Sequence, residues 1–309
     1  MLTDLEKQTG ALFGGLWASL SDLQYRDSVE LFTKRALANQ FDLDWLKGKK
    51  CLDAGCGSGR YSVALALHGA NPIKAIDVSE SGLKEAKHRA AGFPQIAFEQ
   101  ASVLNLPFDD ATFDFVWSAG VIHHTADFDQ ALSELTRVLR PGGKLFLLVY
   151  GAGGLRWKAI KAMRPIVVDL GPKFLDRAIE AAGMPANNRK HFMDDLFVPV
   201  QKLTSMKEMQ EKLVALGFKD IVRWIGETYD HESNTAAQQE DIDKLERIAA
   251  SCVSVAKTPL ERYLANLAKE TASLYAQTTR SVINDPSLSY TEVREIVIGE
   301  GNLRVVATR

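Results

Sequence analysis

The sequence predicts an α/β protein built on a doubly wound, mostly parallel sheet, with helical insertions placed outside it. Three observations predict this. Between residues 49 and 150, short apolar runs alternate with helical patterns, as strands covered by helices on both faces do. The first run, Cys51-Leu52-Asp53, ends in an acid, and glycines follow at 55, 57 and 59 before a helical pattern begins at once. The second, Ile73-Lys74-Ala75-Ile76-Asp77, also ends in an acid, 18 residues past Gly59.

Taken in order, residues 1–48 carry two helical patterns, one through Leu12, Phe13, Leu16, Trp17, Leu20 and Leu23, the next through Val29, Leu31, Phe32, Leu37 and Phe41. They read as an N-terminal helical lid, or as helices that only pack on the sheet. Residues 49–150 form the core, with strands at Cys51–Asp53, Ile73–Asp77, Phe113–Trp117 and Lys144–Val149. Gly69 and Gly92 close the first two helices, Asp127 with Gln130 opens the next, and Pro141-Gly142-Gly143 stops it.

After Tyr150 the pattern loosens. Gly151-Ala152-Gly153-Gly154 reads as a joint, and residues 151–203 as a helical cap insertion interrupted at Pro165, Gly171, Pro172, Gly183 and Pro185. Residues 204–226 return to the core with a cap at Ser205 and Glu208, a stop at Gly217 and a strand at Ile221–Ile225. Residues 227–291 read as a second helical insertion, in which Thr258-Pro259-Leu260-Glu261 has cap, first-turn proline and reciprocal glutamate in register. The end, 292–309, reads as a hairpin of Val293–Ile298 and Leu303–Ala307 completing the core sheet.

Composition narrows the function classes. Of 309 residues 46% are hydrophobic and 25% charged, with 37 Lys plus Arg against 39 Asp plus Glu. A net charge of −2 supplies no global attraction to nucleic acid. The longest apolar run, near Leu145–Tyr150, is far too short for a membrane span. The N-terminus shows no basic region followed by an apolar core, so the cytoplasm is the expected compartment. Cys51, Cys56 and Cys252 have neither metal-ligand nor disulfide spacing and read as small buried residues. No metal is expected, and the oligomeric state is left open.

The glycine loop carries the chemistry. Glycines allow backbone angles closed to other residues and let a ligand approach the main chain, and the turn brings that ligand to a helix N-terminus. The dinucleotide spacing G-x-G-x-x-G fails because Arg60 stands at its third position. The spacing here, D-x-G-x-G-x-G in Asp53–Gly59, resembles the first motif of the class I S-adenosylmethionine (SAM) dependent methyltransferases. Further segments extend the likeness: Asp77-Val78-Ser79, then Ala101–Phe108, Phe113–Ser118, Val121-Ile122-His123-His124 and Arg140–Leu148. In this order they resemble the acidic strand end, the adenine edge, the fourth strand, the active-site loop and the Pro-Gly-Gly turn of small-molecule methyltransferases of the methyltransferase 11-like type. The resemblance is dense over residues 49–150 and fainter to 226.

The resemblance implies a Rossmann-like core that binds SAM and releases S-adenosylhomocysteine (SAH). Gly55, Gly57 and Gly59 would lie along the methionine part, and Asp53 would orient the loop or receive the ammonium. Asp77, with Ser79 beside it, would take the ribose hydroxyls, and Ser118 and Ala119 would offer carbonyls to the ammonium. At the adenine edge the family often has an acid where this chain has Ser102. The Ser102 hydroxyl or the backbone of Val103 would then meet the base, and an aspartate at 102 would be expected to hold it at least as well. His124, or else His123, is the candidate general base, with helix capping as the plain alternative.

Tyr25 and Arg26 could reach the SAM carboxylate. Asp194-Asp195-Leu196-Phe197 and Tyr229-Asp230-His231 could contact substrate or be solvated linker. The expected function is methyl transfer to a small or medium-sized organic acceptor at an O, N or C centre. The alternatives are an RNA or protein methyltransferase, for which Arg156, Lys158, Lys161 and Arg164 form a basic cluster, and a non-catalytic SAM-binding regulator.

Overall fold

The computed structural model describes residues 2–18, 20–184, 195–225 and 235–309, without the side chains of 16–18 and 235–238. The apolar runs become strands β1 (Cys51–Ala54), β2 (Ile73–Asp77), β3 (Ile96–Gln100), β4 (Phe113–Ala119), β5 (Leu139–Tyr150), β6 (Lys219–Arg223) and β7 (Asn302–Thr308). They form one sheet in the order β3-β2-β1-β4-β5-β7-β6. The first five are parallel, and β7 runs antiparallel between β5 and β6. Sequence neighbours diverge between β1 and β4, whose register pairs Cys51 with Phe115 and Asp53 with Trp117. An open sheet of this kind gathers ligands beyond the carboxyl ends of its strands at such a switch point.

Side chains alternate across the sheet, so each strand feeds two cores. Leu52, Val116, Leu145 and Leu147 face one, which includes Leu132 and Leu135 of the helix Phe128–Val138. Cys51, Phe115, Trp117 and Phe146 face the other, which includes Phe32 of α2 (Asp22–Ala38) and Leu65 of α3 (Arg60–Leu67). In that second core Trp117 stacks on Phe146 at 3.6 Å between ring centroids. The three cysteines are buried and free. Among the described residues, no helix is long and apolar enough to cross a membrane.

The chain divides into two compact units. One comprises 1–150, 199–229 and 302–309 and holds the whole sheet; the other comprises 151–198 and 230–301. The second unit draws both insertions into a single helical body. Its core joins Met163, Val167, Phe174 and Leu175 from the first insertion to Ile248, Cys252, Ala265 and Ala268 from the second. Thr258 caps the helix Pro259–Ile283 with Glu261 returning the bond, as its sequence indicates.

Three local expectations change, and one strand is added. Val293–Ile298 is not a strand: the helix Tyr290–Val297 opens with a complete capping box from Ser289 and Glu292. Val293 and Val297 are buried one turn apart, and β-branched residues on that face imitate a strand pattern. The C-terminal hairpin is therefore corrected to a helix followed by β7. Pro165 does not interrupt the helix Gly154–Leu170; it is exposed, as is Lys161, whose freed carbonyl can turn to water. The strand expected at Ile221–Ile225 lies at Lys219–Arg223. Finally, β3 is an edge strand whose residues are intermediate or exposed, so it lacks the continuous apolar run that marks its neighbours.

Candidate active site

A cleft enclosing about 580 Å³, the solvent at its mouth included, opens where β1, β2 and β4 end. The glycine loop, Asp77 and Val78, Ala119–Val121 and His124 line it, and Thr9, Gly10 and Phe13 enter from helix α1 (Asp4–Ala18). A second lobe of about 470 Å³ shares Thr9, Gly55, Asp77, Val78, Val121 and His124, and extends to Glu6, Ala101 and Val103.

All three loop glycines have positive φ, +86 at Gly55, +54 at Gly57 and +77 at Gly59. At Gly55 and Gly59 packing adds a second demand. A Cβ on Gly55 would strike Val121 at 2.2 Å, and one on Gly59 would press on Ala86 and Phe98 at 3.0–3.2 Å. Gly57 donates its N–H to Asp77 Oδ2 at 2.8 Å, and Ser79 donates its own to Oδ1 at 2.8 Å. Two backbone donors thus aim this carboxylate at the cleft. Burial raises its pKa above the usual range, and the backbone bonds oppose that rise.

The other expected site residues separate into those at the cleft and those behind it. Asp53 is 1% exposed and its Oδ2 accepts the Ser62 hydroxyl at 2.6 Å, which ties the strand end to α3. Desolvation pushes its carboxyl up to about 7. Ser79 caps the helix Glu80–Arg89 by accepting the N–H of Gly82. Ser118 is buried within β4, whereas Ala119 and the next residue, Gly120, border the cleft. Gly120 was not singled out from the sequence, yet its φ is +79 and a Cβ there would meet no protein atom within 4 Å. Val103 reaches the second lobe. Ser102 donates its hydroxyl to Glu6 and accepts the N–H of Leu104 at 3.0 Å. An aspartate at 102 would face the Glu6 carboxylate, so the expectation that it would serve the base as well is reversed.

The two histidines differ sharply. His124 lines both lobes, and its Nδ1 lies 3.0 Å from the carbonyl of Val200. A carbonyl only accepts, so Nδ1 carries a proton. Phe13 packs on that ring with centroids 5.1 Å apart. His123 is fully buried between His124 and Tyr150, with centroids at 4.0 and 4.2 Å. Neither of its ring nitrogens has a partner among the described residues, and burial holds its pKa well below the usual value, with His124 adding to the effect.

Tyr25 is buried beneath the Arg89 guanidinium and Arg26 is exposed. It is Arg60, stacked over Tyr61 at 4.7 Å, that brings a cation to the cleft. Asp194 and Tyr229-Asp230-His231 lie outside the described residues. Asp195 is buried in the second unit and accepts Arg156 at 2.6 Å, while Arg164 donates to the carbonyls of Asp195 and Val198. Among the described residues, no cluster could hold a metal ion.

The residues present fit a SAM molecule. The Asp77 carboxylate at a strand end, the Ala119-Gly120 segment, the Arg60 cation and apolar side chains such as Phe13, Val78 and Val121 line one cleft. The buried Thr9 hydroxyl, which lines both lobes, has no partner among the described residues. A bound ligand could supply one.

Fold and cleft together define the class. Residues 52–147 match the family model described as "Methyltransferase domain", and the sheet around them has the order and switch point given above. The chain therefore contains a class I SAM-dependent methyltransferase domain. Among relatives, it is 36% identical over 115 residues to the 27-O-demethylrifamycin SV methyltransferase of Amycolatopsis mediterranei, covering 35% of this chain and 42% of that one. It is 36% identical over 104 residues to a demethylmenaquinone methyltransferase of Staphylococcus epidermidis, covering 33% and 43%. The chain thus spans about two fifths of the length of the curated relatives it matches. A crystal structure from Galdieria sulphuraria, assigned as a sarcosine dimethylglycine methyltransferase, matches with TM-score 0.50 at 14% identity, covering 97% of each chain. At that identity the likeness concerns the fold alone.

Proposed function

We propose that the protein transfers a methyl group from SAM to a small or medium-sized organic acceptor and releases SAH. The observation that carries this reading is the cleft that joins the glycine loop, the Asp77 carboxylate and the His124 ring. When bound, SAM supplies a methyl group already activated by its sulfonium charge. The protein's own work is then to hold the acceptor in line and keep water out, which can contribute about 7–11 kcal/mol.

In this reading Asp77 accepts two ribose hydroxyls, and the Gly55–Gly59 loop runs along the methionine part. The carbonyls at Ala119 and Gly120 receive the ammonium, while Arg60 faces the carboxylate. Asp53 acts behind them by fixing the loop through Ser62. His124 Nε2 accepts a proton from an acceptor that must lose one; His123, enclosed and neutral, supports the His124 ring from behind.

The relatives' small-molecule substrates favour a small acceptor here. So does the basic cluster, because Arg156 and Arg164 spend their donors on Asp195 and on carbonyls. Calorimetric titration with SAM and SAH tests the cofactor assignment. Incorporation of labelled methyl from SAM into metabolite fractions, compared with RNA and protein fractions, tests the acceptor class. Binding without any incorporation would favour the regulator reading, and label in RNA or protein alone would overturn the small-acceptor reading.

A further inference from the structure

The second lobe of the cleft is walled by Leu5, Val78, Ala101 and Val103, and its polar groups include the Glu6 carboxylate and the Thr9 hydroxyl. Apolar walls of this kind suit a flat aromatic ring, and Asp77 stands at the lobe's border. Given the proposed SAM site, on which this inference rests, a ribose held by Asp77 sends its base toward the neighbouring strand, β3. The segment Ala101-Ser102-Val103 follows that strand.

We infer that Glu6, on the N-terminal helix, accepts the hydrogen bond of the adenine exocyclic amine, so that base recognition resides on α1. Ser102 cannot supply the charge such a donor seeks. Its hydroxyl is committed to Glu6, and its oxygen already accepts Leu104. Glu6 has capacity to spare. A carboxylate offers about four acceptor positions; the N–H and hydroxyl of Thr3 both bond Oε2 at 2.8 Å, and Ser102 bonds Oε1. Among the described residues, one position remains on Oε1. Burial pushes the Glu6 carboxyl up, but the bonds from Ser102 and Thr3 outweigh it and hold the group below its ordinary value, hence ionised at neutral pH.

Two further observations point to α1 as a ligand-binding face. Thr9, three residues on from Glu6, lines the same lobe, and its buried hydroxyl has no partner among the described residues. The helix is also seated with little tolerance: a Cβ on Gly14 would fall 2.1 and 2.2 Å from the hydroxyls of Ser79 and Ser81. That close approach fixes the register in which Glu6, two turns earlier, meets Ser102.

The test compares SAH with its inosine counterpart, in which a carbonyl replaces the amine, by calorimetry on wild type, Glu6→Gln and Asp77→Ala. Glutamine retains the helix cap. Wild type should prefer SAH by roughly ten- to a hundred-fold, the range for a hydrogen bond to a charged group. Glu6→Gln should shrink that preference to within a few-fold, because its amide can donate to a carbonyl as readily as accept from an amine. Asp77→Ala should weaken both ligands by one factor and keep the preference. A Glu6→Gln protein that kept the full preference, or lost both ligands equally, would overturn the inference and leave Glu6 as a cap and tether. Wild type that bound neither ligand would instead overturn the cofactor reading itself.

Discussion

The sheet unit and the helical unit treat their charged groups in opposite ways. In the sheet unit Asp77, Glu6, Arg60 and His124 are held by backbone, hydroxyl or ring contacts and face a cleft. In the helical unit charges close on one another. Arg156 meets Asp195, Arg164 covers carbonyls, and Arg280 bridges Asp243 and Glu246. Polar residues are thus comparably ordered in both, but the first set lines a cleft whereas the second closes on itself. Substitutions in the two units should accordingly separate binding from stability.

The largest effect is expected at Gly57→Val. Its φ of +54 admits a β-branched residue only under strain, and Gly57 lines the cleft. SAM binding should fall below detection by calorimetry while the far-ultraviolet signature of the fold persists. Retained affinity would remove the loop from the cofactor path. Next in size is Arg156→Ala, which should cost about 2–4 kcal/mol of stability, since it withdraws the guanidinium from a buried carboxylate. Its partial exposure keeps the effect below that of a fully enclosed pair. A denaturant titration reads the loss, and SAM affinity should be unchanged; if affinity falls in step with stability, the contrast between the units fails.

Asp77→Ala should behave in the reverse manner. Losing charge-assisted bonds to ribose should weaken SAM by about 1.5–3 kcal/mol. The side chain also accepts the N–H groups of Gly57 and Ser79, so some of the loss passes through a loosened loop. Asp77→Asn, which keeps one acceptor, should recover part of the affinity. Equal loss in both variants would assign the effect to charge alone.

How legible these regions were in the sequence follows the same division. The strands of the sheet were legible because burial on both faces demands apolar runs, and the glycine loop because positive φ demands glycine. Asp77 could be placed from its strand end. Glu6 and Thr9 could not, since nothing local to α1 shows which face a distant edge of the sheet will cover. Gly120 lay hidden beside Ser118 and Ala119, one residue beyond the expected contact. His123 and His124 looked equivalent as neighbours, and it is the path of the chain through Val200 that gives one of them a carbonyl partner for Nδ1 beside the cleft. In the helical unit, periodicity showed helices but not that two insertions would share one core.

The smallest effect concerns Asp53, the acid near the end of β1 that does not line the cleft. Its folded pKa, near 7, exceeds the roughly 3.9 of an unfolded aspartate. Between pH 4 and 7 the folded state therefore holds a proton that the unfolded state has released. Stability from this group falls as pH rises through that window and is level above it. Asp53→Asn removes the dependence while leaving an oxygen to accept Ser62. In the absence of cofactor, the variant should match or fall slightly below wild type at pH 4 and exceed it at pH 8. The gain should be about 1–2 kcal/mol, less than the full shift implies, because an amide oxygen accepts Ser62 more weakly than a carboxylate does. A stability difference between the two proteins that stayed constant from pH 4 to 8 would show that Asp53 is ionised throughout, and that its place behind the glycine loop is more polar than its burial indicates.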